Sequence, residues 1–444
     1  MKVGVVTNKF IISTIRFDGD FHLCEGLEVR KNITKSPFGY KPIGDVTSNI
    51  YCPGIFRRNY TKSGVPFLGG GDIQKADLNS GKFLRKKTTP NYDSLQVPKG
   101  CTLVTCGGTI GDTVFANDLL AQCWCSQHIM RVIPSDIKEG MLYAYLASKY
   151  GHLLLTTNTY GSVIPTLNAS NISSLPIPNF PIEFQEEIDS LIQQSAKLRV
   201  ESTDALGKAI KLFEAVIGKS QVNLGYNSKR ISFKSIATRF CRFDSQYQIG
   251  KSQLSKFNKT MKIGDLAARI FVGNRGKRNY VSKGVPFLSS SDMMLANPLR
   301  SPKNISKNTP SLSEMIVNEG DILISRSGTV GNTIIVGKNL SGVVVSEHAM
   351  RLVIDKSKIA PEYVFAYFMT DHGQDALKIL PYGSVIVTLG EDFLADVDLP
   401  ILDKDTYTEI VTLIKEYISK ADESVALENS AIDKVEQEIE KWNN

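Results

Sequence analysis

The sequence predicts an α+β chain: two similar globular domains alternating with two long helices, the helices packed as an antiparallel coiled coil and the whole related by a pseudo-two-fold axis. Three observations predict this. The 444 residues repeat themselves at an offset of 220 to 226. Each copy contains short β-like runs separated by glycine-bearing turns. Each copy also ends in a long proline-free stretch with apolar residues at helical 3/4 spacing.

The repeat can be followed in order. Arg16-Phe17-Asp18 returns as Arg242-Phe243-Asp244, at an offset of 226. RRNYTKSGVPFL (57–68) returns as KRNYVSKGVPFL (277–288), with eight of twelve identities. CGGTIGDT (106–113) returns as RSGTVGNT (326–333), and SQHIMR (126–131) as SEHAMR (346–351). YGSVIPTL (160–167) returns as YGSVIVTL (382–389), with seven of eight identities. Convergent loops do not stay in register for about a hundred residues, so the chain is a duplication. The period is far longer than that of a solenoid unit.

Within each copy a basic loop comes first. Strand-like CTLVTC and DILISR follow, each with a Gly-Thr-x-Gly turn behind it. Helix-like MLYAYLASKY and PEYVFAYFMT precede the YGSV loop. The first long helix is expected from about Pro181 to Val216, opening on Pro and on EFQEEID. Its stripe is Phe184, Ile188, Leu191, Leu198, Ala205, Ala209, Leu212 and Val216, with Ser195 and Ser202 completing it. The second is expected from about Asp405 to Trp442. Its stripe is Ile414, Ile418, Ala421, Val425, Ile432, Val435, Ile439 and Trp442, interrupted by Glu428. Both read as coiled-coil seams whose partner is the other helix. A rod of this length spans ~54 Å. Packed antiparallel, two such rods place the preceding domains at opposite ends, where they touch a duplex at two separated patches.

Charge supports a polyanionic partner. The net charge is +7, yet residues 183–214 hold seven acids against four bases, and residues 403–441 hold eleven against five. The domains are therefore far more basic than the total suggests, as suits nucleic acid; ordinary charge heterogeneity is the alternative. No apolar run is long enough to span a membrane. The opening MKVGVVTNKF lacks the apolar stretch of a signal peptide, so a cytoplasmic protein is expected. Seven cysteines, six of them in the first half, make a poor disulfide framework.

Basic residues interleaved with tyrosine mark the candidate contacts: Arg57, Arg58, Tyr60 and Lys62, and their counterparts Lys277, Arg278, Tyr280 and Lys283. A solvated basic loop is the alternative, as it is for Lys82, Arg85, Lys86 and Lys87. Gly69-Gly70-Gly71 stands where the second copy has Ser289-Ser290-Ser291, between identical PFL and Asp. The twin manages without glycine, which argues against a nucleotide-cradling loop. The triplets are expected to approach bases and to differ because the half-sites differ; loop drift is the other reading. Arg326, opposite Cys106, is a candidate reader of guanine or else a surface strand residue. The YGSV loops are what the copies share best, so Ser162 and Ser384 are assigned scaffold or generic backbone contact.

Other chemistry is not supported. Cys101, Cys106, Cys123 and Cys125 invite a zinc reading, but the second copy has Asp321, Arg326, Val343 and Val345 there; CWC over VVV reads as a buried strand. His128 and His348 coincide and are expected to be structural residues on a strand face. Gly218-Lys219-Ser220 lacks the earlier glycine of a phosphate loop. No Asn/Asp-Pro-Pro-Tyr/Phe, G-x-S-x-G or H-E-x-x-H stretch is present. No catalytic or metal-ligating residue is assigned.

The pattern resembles the specificity (S) subunit of type I restriction–modification systems over essentially the whole chain. The resemblance rests on GVPFL-x3-D (64–72 and 284–292), GDILISRSGTVG (320–331), GSVIPTL (161–167), LPIP (175–178) and EFQEE (183–187). The first copy departs at GCTLVTCGGTIG (100–111), with Cys101 for Asp321, and the second helix opens more loosely as DKDTYTE. The resemblance implies two target-recognition domains, 1–180 and 221–402. Conserved helical regions, 181–220 and 403–444, would follow them. It implies a non-catalytic subunit that reads a bipartite, asymmetric double-stranded DNA site. Two adenine-N6 methyltransferase subunits would be held by it, with restriction subunits in the full complex. S-adenosylmethionine, ATP and Mg would sit on those partners and no cofactor on this chain. Alternatives are the detached specificity subunit of a fused restriction–methylation enzyme, a tandem nucleic-acid-binding adaptor without sequence preference, or a single-chain enzyme with paired sites.

Overall fold

A computed structural model describes residues 24–157, 166–220, 222, 223, 230, 232–236, 241–254, 256–276, 278–383 and 387–442. Arg16-Phe17-Asp18, Ser162, Lys277 and Ser384 lie outside the described residues. Contacts divide the chain into two compact units: residues 1–200 with 423–444, and residues 201–422.

Among the described residues the first unit has nine strands: β1 (Tyr40–Pro42), β2 (Thr47–Tyr51), β3 (Val65–Leu68), β4 (Phe83–Leu84), β5 (Thr102–Gly107), β6 (Thr109–Phe115), β7 (Trp124–Cys125), β8 (Ile129–Pro134) and β9 (Pro176–Pro178). They form an antiparallel sheet of order β2-β8-β5-β6, a smaller sheet of order β4-β3-β7 and the pair β1-β9. The strand-like CTLVTC becomes β5 because it is covered on both faces. Val104, with Met130 and Val132 of β8, points into the cluster shared with the helices. Leu103 and Ile129 point the other way, into a second cluster with Leu68 and Cys125. Alternation of period two distributes one strand between two cores.

Among the described residues the second unit has ten strands: β10 (Thr260–Lys262), β11 (Ala267–Val272), β12 (Tyr280–Val281), β13 (Val285–Leu288), β14 (Lys303–Ile305), β15 (Ile322–Ser325), β16 (Thr333–Ile335), β17 (Val344–Val345), β18 (Ala349–Ile354) and β19 (Asp398–Pro400). Their order repeats the first unit's with one edge strand, β12, added: β11-β18-β15-β16, then β12-β14-β13-β17, then β10-β19. Even the register shift of β2 on β8, between Thr47 and Asn49, recurs in β11 on β18, between Ala267 and Arg269. The CWC and VVV stretches become the buried strands β7 and β17, each parallel to a VPFL strand.

The helix-like MLYAYLASKY and PEYVFAYFMT fall mainly on the first of two helices separated by a break: Glu139–Ala147 then Lys149–Thr157, and Pro361–Met369 then Asp371–Ile379. The breaks have the same cause. The Gly151 amide donates to Ser148 Oγ at 3.1 Å, and the Gly373 amide to Thr370 Oγ1 at 3.1 Å. A Cβ on either glycine would meet a backbone oxygen, that of Tyr145 at 2.2 Å or Tyr367 at 2.0 Å. Only glycine lets the second helix cross so close to the first.

The two long helices run Ile182–Ile217 and Lys404–Lys441. They pair antiparallel within each unit. In the first, Lys434 reaches Glu187 at 2.7 Å and the Ser195 hydroxyl donates to the Ser424 carbonyl at 2.7 Å. In the second, Lys420 reaches Glu201 at 2.8 Å and the Ser202 hydroxyl donates to the Tyr417 carbonyl at 3.0 Å. Of the expected seam, Ile188, Ile414, Ile432, Val435 and Ile439 are buried, whereas Leu191, Leu198, Leu212, Ile418 and Val425 are half-buried. Ile192 and Phe213 are buried beside them, and Val216 is exposed. The stripe drifts because it serves two partners. Ile188 and Ile192 pack into the first unit's core and the Phe213 ring lies tilted against Tyr363 of the second, at 5.0 Å. Polar contacts lie between these apolar ones: Glu428, which interrupts the stripe, is buried against Arg199 at 3.1 Å and accepts from the Tyr143 hydroxyl at 2.5 Å.

Candidate nucleic-acid interface

The S-x-H-x-M-R repeat builds the site from beneath. Arg131 is fully buried in β8, and its guanidinium donates to the carbonyls of Leu95, Gln96, Cys125, Ser126 and Ile129, at 2.6 to 3.4 Å. Arg351 does the same to Met315 and Ile316, at 2.8 and 2.6 Å. A buried guanidinium stays charged, so it bolts its neighbouring backbone in place. In the first unit this fixes the turn directly before the strand, Ser126-Gln127-His128; the matching turn of the second unit is Ser346-Glu347-His348.

These turns hold His128 and His348 at the surface, one residue before β8 and β18 begin. The expectation of a structural strand-face histidine is therefore corrected: the alternation is real, but the strand starts later. His348 Nδ1 lies 2.7 Å from Ser327 Oγ. In the first unit Gly107 replaces that serine, and a Cβ there would meet His128 Nδ1 at 2.8 Å, so the ring takes the space itself.

The basic loops dock onto the same turns. Arg58 donates to Gln127 Oε1 at 2.7 Å and lies 5.3 Å over the Phe67 ring. Arg278 donates to Glu347 Oε2 and lies 4.8 Å over Phe287. Tyr60 and Tyr280 sit 6.1 Å from those same phenylalanines, with about half of each exposed. Arg57, Lys62 and Lys283 are exposed, as are Lys82, Arg85, Lys86 and Lys87. Burial pushes the Glu347 carboxyl up, but its own backbone amide and the hydrogen bond and charge of Arg278 more than offset this, holding it below the usual carboxylate range.

The triplets flank the same turns, since Ser126 and Ser346 donate their amides to Leu68 and Leu288. Asp72 accepts from the Gly69 amide at 3.1 Å and Asp292 from the Ser289 amide at 2.9 Å, which closes both loops alike. None of Gly69, Gly70 and Gly71 has positive φ, and a Cβ would meet at most ordinary contacts. Nothing in the loop demands glycine, which is why serines fit its twin.

Arg326 stands at the end of β15 beside this cluster. Its amide donates to His348 O at 2.9 Å, and its enclosed Nε has no hydrogen-bond partner among the described residues. Of the repeated octapeptides, the last residues return to the same place: Thr166 bridges Gly107 and Thr388 bridges Ser327, while Leu167 and Leu389 are buried. Each unit thus gathers the basic loop, the histidine turn, the hairpin tip and the octapeptide's end. Sequence reading named the first and last of these and missed Gln127, Glu347, Gly107 and Ser327. The signal for them was present: SQH against SEH, and GG against SG, are substitutions inside otherwise matching blocks.

The four candidate zinc thiols do not converge. Cys106 packs with the helix-side core, 3.3 Å from Cys52 Sγ, whereas Cys101, Cys123 and Cys125 pack on the opposite face of the sheet. Burial pushes the Cys101 thiol up to about 12, against the pull of Arg131. The departure of Cys101 from Asp321 has a partner. Asp321 Oδ2 accepts from the Asn318 amide at 2.9 Å and lies 3.8 Å from Arg351 Nε. Residue 98, the counterpart of Asn318, is proline and has no amide hydrogen to give.

The profile of the family described as "Type I restriction modification DNA specificity domain" matches residues 36–212 and again residues 256–437. Among solved structures, the type I restriction–modification S subunit from M. genitalium is 14% identical, covering 91% of this chain and 95% of its own, with a TM-score of 0.36. The HsdS subunit from Thermoanaerobacter tengcongensis is also 14% identical, covering 90% and 98%, with a TM-score of 0.29. A chain described under complex assembly and conformational transition of the type I R-M system is 13% identical, covering 90% and 97%, with a TM-score of 0.30. No curated protein matches the chain at a significant level.

Proposed function

Because the chain belongs to the type I restriction–modification DNA specificity family, we propose that it is the subunit through which such a complex reads a bipartite, asymmetric DNA site without itself catalysing a reaction. One observation carries the reading. Two units of the same topology present the same surface cluster: an arginine on a phenylalanine, a neighbouring tyrosine and an exposed histidine. They differ at the residues between. A shared scaffold with unlike side chains is what two different half-sites require. Arg57, Lys62, Lys283 and the exposed run at 82–87 supply phosphate contact.

The partners of this chain are double-stranded DNA, two methyltransferase subunits and, in the full complex, restriction subunits. S-adenosylmethionine, ATP and Mg are bound by those partners. The long helices, whose outer faces are rich in exposed acids, offer the methyltransferases their docking surface.

Single-molecule sequencing of host DNA with and without the gene tests this. A split adenine-methylation motif should vanish on deletion. Complementation with Arg58→Ala should weaken one half of the motif only, because Arg58 belongs to one unit. A methylation pattern indifferent to deletion rejects the proposal, as does an enzyme activity of the purified chain alone.

A further inference from the structure

The surfaces at Ser126–His128 and Ser346–His348 agree wherever a common scaffold demands it, and they part at the central residue of the turn. Resting on the reading above, we infer that Gln127 and Glu347 determine which base each unit accepts. They present opposite hydrogen-bonding groups from the same position.

Gln127 has its oxygen committed, because Arg58 donates to Oε1 at 2.7 Å. That bond fixes the amide orientation and turns its nitrogen toward His128, with Nε2 to Nε2 at 3.2 Å. An amide nitrogen carries two hydrogens, so one donor remains beyond the histidine contact. Glu347 carries none. One of its oxygens accepts from Arg278, and the other faces His348 Nε2 and Arg275 Nε, each at 3.7 Å. Those distances exceed a hydrogen bond, so that oxygen remains an acceptor with capacity to spare. Arg275 is almost wholly exposed, and its pairing is screened by water.

A donor at position 127 matches the acceptors that guanine or thymine presents in the major groove, O6 with N7 or O4. An acceptor at position 347 matches the exocyclic amine of cytosine or adenine. The shared arginine, lying over its phenylalanine, holds each group still and carries no discrimination itself. Arg58 and Arg278 are accordingly positioning residues here.

The test uses complexes of the full chain with its methyltransferase subunits, carrying wild-type, Glu347→Gln or Gln127→Glu chains. Each selects from a randomised duplex pool, and each methylates DNA that is read by single-molecule sequencing. Glu347→Gln should shift preference at one position of one half-site away from cytosine or adenine, roughly tenfold. Gln127→Glu should shift the other half-site toward them. Unchanged base preference for both variants overturns the inference. Where a variant no longer methylates, the pool decides: an altered preference supports it and an unaltered one overturns it. Should the wild-type complex select no sequence, the specificity reading itself has failed, and this inference falls with it.

Discussion

Pro98 and Cys101 change together relative to Asn318 and Asp321, and the chemistry explains why. A buried carboxylate needs a hydrogen-bond donor beside it, and proline removes the one that Asn318 supplies. Cys101→Asp alone should therefore destabilise the chain by about 1–3 kcal/mol, and Pro98→Asn should restore part of that loss. A double-mutant cycle by chemical denaturation should show a coupling of about 0.5–3 kcal/mol; strict additivity would refute the pairing. Glu347 yields a pH prediction. Against the upward push of burial, its own backbone amide and Arg278 depress its folded carboxyl, so Arg278's share in stabilising the 278–283 loop is complete above the ordinary glutamate range, near 4.5. It is lost as pH falls through the lower folded value. Limited proteolysis of that loop should become easier on acidification in the wild-type chain, whereas Glu347→Gln should be equally susceptible throughout.

At the scale of elements, the long helices show how far a stripe can be trusted. Ile188 and Val216 occupy equivalent positions in one apolar repeat, yet the first is fully buried and the second is more than half exposed. The same substitution should separate them. Ile188→Lys should cost roughly 3 kcal/mol or more, because a charge enters a core without a partner. Val216→Lys should stay within about 0.5 kcal/mol. Thermal unfolding of the two variants checks this, and equal losses would refute it. The ends of both helices, the strands CTLVTC and DILISR and the burial of CWC and VVV were legible, because each is a local pattern of period 3.6 or 2. Phe213 and Ile192 were not. Their burial comes from the globular body packed against the helix, and a helical wheel holds no information about a second partner. The second helix of each pair was missed for a similar reason: Gly151 and Gly373 lie beyond MLYAYLASKY and PEYVFAYFMT, and their role shows only once the backbone oxygens they pass are known.

Over the whole molecule, internal comparison carried more than any single motif. Duplication was legible from the YGSVI and GVPFL blocks, and with it the repeated topology. The candidate interface was half legible. The basic loops were visible as charge and tyrosine, but Gln127 and Glu347 gain meaning only once Arg58 and Arg278 are seen to reach across 69 residues to them. Packing also groups the chain in a way that a helical pattern does not disclose: contacts divide it within both long helices, after Val200 and after Asp422.

That partition has a consequence for biosynthesis. The first unit's core includes Ala431, Ile432, Val435 and Ile439, so residues made early in the nascent polypeptide wait on codons beyond Asp422 to finish closing. A ribosome that stops after Asp422 should release a product whose earliest-made portion is the one left open to proteases, while the later-made portion is intact. Adding the missing tail as a separate peptide should then close it again.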